Sequence, residues 1–187
     1  MVTLYLARHG ETEENTAHIL QGLLPGTLTA TGRAQAAALG DQLAHSGIRF
    51  DVLLSSDLKR AVDTAEIISH RLGMTVGLLP LLRERDWGKA TGRRIGTVQL
   101  TPPPEGLESL EAMAGRAARF LTFLRQHYDG QCVLAVSHGL FARCIQAVWA
   151  GKAIQDIPKM QNAEVRQLLV GEVSHSGISE ADVVSAD

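Results

Sequence analysis

Five side chains suited to binding or attacking a phosphate group follow short apolar runs in this sequence. These side chains are Arg8, His9, Arg60, Glu84 and His138. Guanidinium groups offer planar forks of donors that match phosphate oxygens. An imidazole can act as a nucleophile or a proton donor near neutral pH, and a carboxyl group can exchange a proton with a leaving group. Together these residue types predict a site that binds a phosphate dianion.

The five side chains can meet only if the apolar runs before them are neighbouring strands. The pattern predicts strands at residues 2–7, 50–54, 75–79, 132–136 and 164–170. These runs are rich in Val and Leu and end at polar residues or Gly, which is typical of buried strands. Ligands of open α/β sheets bind beyond the carboxyl ends of the strands, so the first four strands would bring their ends to one rim.

Helix-like stretches separate the predicted strands. They cover residues 30–45, 57–72, 107–127 and 139–149. Strands that alternate with helices are typical of a parallel sheet covered on both faces. We therefore expect an α/β fold, a three-layer sandwich in which helices cover both faces of a mainly parallel sheet.

Backbone features near the rim would assist the binding of an anion. Gly10 and Gly139 would let the backbone approach a ligand closely. Helices that begin after Ser56 and His138 would add N–H groups directed at the anion. Ser55 and Ser56 are also expected to cap the helix that follows them.

The length and composition are those of one globular domain, predicted to span residues 1–170. The chain has 187 residues, of which 45% are hydrophobic, and a formal net charge of −2. Such a chain can bury a sizeable core. Residues 91–106 contain Thr-Pro-Pro-Pro and are predicted to form an irregular excursion that partly covers the site. Residues 171–187 are predicted to be a weakly ordered polar tail.

Composition also restricts the partners and the location. Apolar runs are well below the roughly 20 residues of a membrane-spanning helix, and the first residues lack a signal-peptide pattern, so we expect a cytoplasmic protein with no membrane partner. Only 4% of residues are aromatic and basic clusters are missing, which argues against nucleic acid as a partner. Cys132 and Cys144 lack Cys-x-x-Cys spacing and are expected to be buried free thiols. A small charged metabolite is the expected ligand, and the oligomeric state is left open.

Three arginines of the third predicted helix are expected to have no functional role. Arg116, Arg119 and Arg125 lie largely off the apolar stripe of residues 107–127. Charged residues in such positions are usually solvated.

Residues 4–12, Leu-Tyr-Leu-Ala-Arg-His-Gly-Glu-Thr, resemble the signature of the histidine phosphatase superfamily, in its phosphoglycerate mutase-like branch. Later segments resemble further motifs of that family in the same order. They are Asn15, Gln21-Gly22, Leu28-Thr29, Ser55-Ser56-Asp57-Leu58-Lys59-Arg60-Ala61, Leu82-Arg83-Glu84 and Val136-Ser137-His138-Gly139. The resemblance implies a phosphoglycerate mutase-like fold and chemistry that uses no metal or other cofactor.

The resemblance and the residue chemistry together assign a role to each site residue. Neutral His9 would attack phosphorus and form a phosphohistidine. Arg8, Arg60 and His138, which would become protonated once the dianion is bound, would bind the phosphoryl oxygens. Glu84 would protonate the leaving group and later activate water, because a carboxyl group near a phosphate dianion is more readily protonated. The residues expected to bind substrate are Gly10, Asn15, Gln21, Gly22 and Gly139.

The likeness leaves the reaction open between hydrolysis and isomerisation. Ala90-Thr91 stands where the family usually has Trp-Glu, and residues 92–106 are short compared with the insertion of the mutases. These departures favour a phosphatase acting on small phosphomonoesters. A phosphoglycerate mutase-type isomerase is the alternative, and a non-catalytic module that binds phosphate is a third. Arg93 and Arg94 could bind a substrate carboxylate or could be solvated.

Overall fold

A computed structural model describes residues 1–171, so the predicted polar tail lies outside the described residues except for Gly171. Five strands form one sheet in the order β3-β2-β4-β1-β5. They are β1 (Val2–Arg8), β2 (Val52–Ser55), β3 (Val76–Leu78), β4 (Cys132–Ser137) and β5 (Val165–Val170). The first four strands run parallel, and β5 lies antiparallel to β1 at one edge. The sheet is therefore mainly parallel, as predicted.

The helices lie on both faces of this sheet. They are α1 (Glu13–Thr16), α2 (Ala30–Ala44), α3 (Lys59–Leu72), α4 (Leu110–Tyr128) and α5 (Gly139–Ala150). Side chains of a strand alternate between the two faces, so Leu4 and Leu6 join a core with α4 and α5. Leu134 and Val136 join the opposite core with α2 and α3. This arrangement confirms the predicted three-layer sandwich. Within residues 1–171, none of the helices combines the length and the apolar character needed to cross a membrane.

Register brings the ends of the three central strands to the same level. Arg8 of β1 lies beside Ser137 of β4, and Ser55 of β2 lies beside Val136. The residues that follow these strands therefore emerge at one rim, which is where a ligand of a parallel sheet binds.

The predicted strands are all present, with bounds that differ from the prediction by no more than two residues, and the predicted helices differ by no more than three. The largest difference is at α4, which starts at Leu110 because the Ser109 hydroxyl caps it by accepting the Ala112 N–H at 3.0 Å. The short helix α1 was not predicted. It is held by a capping box in which Thr12 and Asn15 exchange side-chain hydrogen bonds with each other's backbone N–H.

A close approach of two backbones supports the loop after β1. A Cβ atom added at Gly32, in the first turn of α2, would lie 2.0 Å from the Glu11 carbonyl oxygen. A Cβ atom at Gly10 would lie 2.4 Å from the Gly32 carbonyl oxygen. The two glycines therefore let α2 pack directly on the segment that carries His9.

We expect Gly32→Ala to lower the free energy of unfolding by more than about 1 kcal/mol, because forced overlap in a packed region costs roughly 1–3 kcal/mol. This would occur although alanine has the higher helix propensity. Gly115→Ala is the matched control, since its nearest foreign atom would be 3.9 Å away. That variant should gain about 0.5–1 kcal/mol. Urea titrations measure both values, and equal effects of the two substitutions would contradict the packing argument.

Candidate active site

A cavity of about 380 Å³ opens at the rim where the central strands end. Eight of the ten predicted site residues line it: Arg8, His9, Asn15, Gln21, Gly22, Arg60, Glu84 and Gly139. His138 lies next to His9, with 5.2 Å between the ring centroids, and is fully buried. The structure therefore brings together the side chains that the sequence scatters over 130 residues.

The His9 ring is oriented by hydrogen bonds at both nitrogens. Nδ1 lies 2.7 Å from the Gly10 carbonyl oxygen. Because a carbonyl oxygen only accepts, Nδ1 carries the proton and Nε2 keeps its lone pair. The Arg60 Nε donates to this Nε2 at 3.3 Å. His9 is thus presented as a neutral imidazole with Nε2 as the free base.

Arg60 is almost completely buried, with 1% of its surface exposed. Besides His9, its guanidinium donates to the carbonyl oxygens of Gly22, at 2.9 Å, and Leu24. Burial lowers the pKa of Arg60 to about 10, and Glu84 opposes this shift. The side chain is therefore still a cation at neutral pH, held by neutral acceptors on three sides.

Arg8 is the last residue of β1, and its guanidinium lies against Gly139. Its Nη1 donates to the Met160 carbonyl oxygen at 2.6 Å. A Cβ atom at Gly139 would lie 3.1 Å from the Arg8 Nε, so the absence of a side chain there makes room for the guanidinium. The Arg8 Nε is buried without a hydrogen-bond partner among the described residues. A donor left in this state marks a place where a ligand oxygen can bind.

His138 is oriented by Ser56, which lies 82 residues earlier in the chain. The Ser56 hydroxyl lies 2.8 Å from the His138 Nε2 and accepts the Leu58 N–H at 3.3 Å. Either the hydroxyl or Nε2 can be the donor in this bond, and the bond leaves Nδ1 free to carry a proton. That nitrogen is buried and has no partner in residues 1–171. The sequence prediction that Ser55 and Ser56 cap the next helix is wrong, because α3 begins only at Lys59, preceded by Leu58.

Burial lowers the pKa of His9 and of His138 well below the usual range of histidine. In both cases the charge of Arg60 is the second cause, since a cation disfavours an imidazolium close to it. Arg8 acts in the same direction. Both rings are therefore neutral in the ligand-free site, and the protonation of His138, which the sequence analysis expected only once a dianion is bound, stays a prediction.

The Glu84 carboxylate accepts three backbone N–H groups. One oxygen accepts from Arg85 at 2.8 Å and Phe141 at 3.0 Å, and the other accepts from Leu140 at 3.1 Å. The last two are N–H groups in the first turn of α5, the helix whose N-terminus the sequence analysis had assigned to the phosphate. These N–H groups bind the Glu84 carboxylate instead, because the positive end of the helix dipole favours a negative charge beside it.

In the first turn of α3, the Arg60 N–H is likewise not available to a ligand. The Arg60 N–H bonds to the Pro25 carbonyl oxygen at 2.9 Å. Gly10 also differs from expectation, since its N–H bonds to the Thr64 hydroxyl at 3.1 Å and its close neighbour is Gly32. The close approach predicted for Gly10 is thus made to α2 and not to the cavity.

Asn15 and Gln21 bring amide groups to the cavity. The Asn15 Oδ1 accepts from the Thr12 N–H at 3.1 Å and from Asn162 at 3.2 Å, so its Nδ2 remains available to a ligand. The Gln21 Oε1 is buried with no partner among the described residues. Gly22 has a positive φ of 49°, and its carbonyl oxygen accepts from Arg60. These residues therefore shape the wall beside Arg60.

The excursion at residues 91–106 contains no helix or strand and is attached to the loop after α1. Backbone bonds join Leu20 to Arg93 at 2.9 Å and Ile95 to His18 at 2.7 Å. This pairing places Ile95 on the cavity wall. Arg93 and Arg94 are exposed and do not line the cavity.

Sequence reasoning missed several residues around the cavity. Its outer wall includes Ile19, Leu20, Trp87, Ile95, Leu140, Arg143, Lys159 and Met160. Most of them lie in irregular segments with no motif to identify them. The prediction that Arg116 is solvated is also wrong: its side chain is 12% exposed and donates to carbonyl oxygens on both sides of Arg83.

The cysteines and the acidic residues do not form a metal site in residues 1–171, where no group of three or more His, Cys, Asp or Glu side chains could hold an ion. Cys144 is buried and Cys132 is partly exposed, and both are free thiols. Burial raises the pKa of Cys144 to about 11, so this thiol stays protonated.

Residues 4–177 match the histidine phosphatase superfamily (branch 1). This chain belongs to that family. Histidine phosphatase relatives include the uncharacterized phosphatase PhoE of Bacillus subtilis (strain 168), 34% identical over 142 residues that cover 74% of this chain and 72% of PhoE. A 2,3-bisphosphoglycerate-dependent phosphoglycerate mutase of Methylobacterium sp. (strain 4-46) is 34% identical over 180 residues, covering 84% of this chain and 85% of the mutase.

A solved histidine phosphatase structure has the same fold. The mycobacterial glucosyl-3-phosphoglycerate phosphatase in complex with VO3 superimposes with a TM-score of 0.79 and 27% sequence identity. The match covers 89% of this chain and 92% of that protein. The relatives thus include both phosphatases and mutases, and the family shows the enzyme class without deciding between these two reactions.

The lowered histidine pKa values predict how the stability of this protein depends on pH. Below about pH 6.5 the unfolded chain binds protons at positions 9 and 138 that the folded chain does not bind. The free energy of unfolding should therefore be highest above this pH and fall as the pH decreases, by up to about 1.4 kcal/mol per pH unit for each histidine. Urea titrations at pH 7.5 and 5.5 measure the slope. His138→Asn should make it shallower, and an unchanged slope in this variant would argue against a neutral His138.

Proposed function

We propose that this protein hydrolyses small phosphomonoesters through a phosphohistidine intermediate on His9. The observation that carries the proposal is the state of the His9 ring. Its Nδ1 proton is engaged by Gly10, and its Nε2 lone pair lies at the cavity beside the cationic Arg60. A nucleophile must be unprotonated to attack, and this geometry supplies one without a separate base.

In the first step, the His9 Nε2 attacks phosphorus in line with the ester oxygen. The N–P bond forms as the P–O bond breaks, and the leaving alkoxide takes a proton from the Glu84 carboxyl group. Arg60 releases the His9 Nε2 and donates to the phosphoryl oxygens instead. The Arg8 Nε, which has no partner among the described residues, donates to these oxygens as well. These fixed donors stabilise the charge that spreads over the oxygens in the transition state.

In the second step, water attacks the phosphohistidine on the side that the alcohol has left. Glu84, now a carboxylate, takes a proton from this water as the N–P bond breaks, and inorganic phosphate leaves. His138 donates its Nδ1–H to a phosphoryl oxygen, and the bound dianion favours a second proton on its ring. Asn15 adds a neutral donor from its Nδ2. The site residues thus return to their starting state.

The cavity supports a small phosphorylated metabolite as the substrate. Its volume of about 380 Å³ suits a phosphate group and a compact leaving group. Ile95, which lines the cavity from the excursion, is still 56% exposed to solvent. A cover this open admits the water that hydrolysis needs, which is why we prefer a phosphatase.

The second candidate is a phosphoglycerate mutase-type isomerase. The mutase from Methylobacterium, which matches 84% of this chain, favours it. Its first step is the same, but the phosphoryl group then returns from His9 to another hydroxyl of the bound molecule. The two reactions therefore differ only in what accepts the phosphoryl group.

Phosphorus NMR with EDTA-treated protein separates the candidates. Incubation with 3-phosphoglycerate and a panel of other monoesters should release inorganic phosphate, and trapped enzyme should carry an acid-labile phosphoryl group on His9. Conversion to 2-phosphoglycerate without free phosphate would favour the mutase. Phosphate binding without a phosphoenzyme would favour a non-catalytic module. Activity that EDTA abolishes would show that a metal takes part.

His9→Ala should lower the rate of phosphate release by at least about 10³-fold, because removal of a nucleophile leaves only binding and electrostatic catalysis. His45→Ala is the matched control, since His45 is exposed at the end of α2. It should retain full activity. Circular dichroism checks that both variants are folded, and a folded His9→Ala protein with normal activity would refute the intermediate.

A further inference from the structure

We infer that Arg116 and Glu108, neither of which lines the cavity, position Glu84 for proton transfer. The inference rests on the proposed role of Glu84. Glu84 lies between the short 3₁₀ helices Pro80–Leu82 and Gly88–Ala90, in a segment outside the sheet. Its position therefore depends on contacts from elsewhere in the chain.

Arg116 reaches this segment from the middle of α4. Its Nη1 donates to the carbonyl oxygens of Leu81 at 3.1 Å and Arg83 at 2.6 Å, and its Nη2 donates to that of Glu84 at 3.3 Å. One guanidinium thus binds three carbonyl oxygens over four residues, including the carbonyl of Glu84 itself.

Glu108 holds the other side of the same guanidinium. Its carboxylate accepts from the Arg116 Nε at 2.9 Å and Nη2 at 2.7 Å, and the two side chains are 16% and 12% exposed. The Glu108 backbone also exchanges bonds with the chain just after Glu84, donating to the Asp86 carbonyl oxygen at 2.8 Å and accepting from the Arg85 Nε at 2.8 Å. Arg116 therefore bonds to the chain just before Glu84, and the backbone of Glu108 bonds to the chain just after it.

All five N–H donors of Arg116 are used in these contacts, one on Nε and two on each terminal nitrogen. Lysine has three donors on one rotating nitrogen and cannot reproduce this planar fork. These contacts therefore need the side chain of an arginine. An arginine that served only as a positive charge would not be expected to use all five donors.

Arg116 also contacts the helix that binds the Glu84 carboxylate. Its guanidinium carbon lies 3.8 Å from the centre of the Phe141 ring. The Phe141 N–H donates to Glu84 at 3.0 Å. Arg116 thus packs against both parts that determine where the carboxyl group lies, namely the backbone of Glu84 and the first turn of α5.

Loss of this support should impair the steps in which Glu84 gives or takes a proton, and kcat/KM reports the first of these, in which Glu84 gives a proton to the leaving group. Misplacement of a catalytic group by about 1 Å can cost roughly 10²-fold in rate. Alkyl phosphates need protonation of a poor leaving group, whereas 2,4-dinitrophenyl phosphate has a leaving group that departs as a stable anion. A positioning role therefore predicts a loss that depends on the leaving group.

The experiment compares kcat/KM for an alkyl phosphomonoester and for 2,4-dinitrophenyl phosphate in each variant. Arg116→Lys should lose about 10–100-fold on the alkyl ester and less than about 3-fold on the aryl ester. Glu108→Gln should show the same pattern more weakly, and Glu84→Gln more strongly. Arg119→Lys, an exposed arginine one turn along α4, is the matched control and should change neither value.

The ratio of the two kcat/KM values does not depend on how much of a preparation is folded, so it reports positioning even if Arg116→Lys is unstable. Equal losses on both esters in Arg116→Lys and Glu108→Gln would overturn the inference and leave only a structural role. If Glu84→Gln itself shows no dependence on the leaving group, the proposed role of Glu84 is wrong. The two failures are therefore distinguishable.

Discussion

The burial of the Arg60 guanidinium beside two imidazoles is the interaction on which the site depends. A buried cation is costly unless its donors are bonded, and here carbonyl oxygens of the 22–24 loop and the His9 ring accept from it. Because these acceptors are neutral, its positive charge is not cancelled by a direct ion pair. The charge therefore acts on His9 and His138, keeps both rings unprotonated, and leaves a cavity that attracts a dianion.

The proposed reaction needs Glu84 to give and take a proton while its carboxyl group keeps its position. Two N–H groups of α5 and one of its own segment bind the carboxyl oxygens. Bonds from a helix N-terminus suit the carboxylate that remains after proton transfer. The position of the carboxyl group is thus fixed by the backbone, as its proposed role requires.

Local sequence patterns were sufficient to predict the strands and the rim where they end. They did not predict the side-chain contacts that hold the site residues in position. Val2–Arg8 and Cys132–Ser137 are apolar runs closed by polar residues, a signal that needs no tertiary information. Ser56 and His138 are 82 residues apart, and Arg116 binds a carbonyl oxygen 35 residues before it. Such pairs depend on how α4 and α5 pack on the sheet. An arginine off the apolar stripe of a helix is usually solvated, so sequence alone favoured the wrong answer for Arg116.

Two different parts of the fold form the cavity, namely the strand ends and the irregular segments of the outer wall. The proposed reacting groups of His9, Arg60 and His138 follow strands β1, β2 and β4, whose register brings the strand ends to one level. The outer wall comes instead from residues 18–20 and 92–95, which are joined by backbone hydrogen bonds. Backbone pairing of this kind does not depend on side-chain identity, so residues such as Ile19 and Ile95 can be exchanged while the chain path is kept. We therefore expect changes in substrate preference within this fold to arise in these segments, with the phosphoryl-transfer centre unaltered.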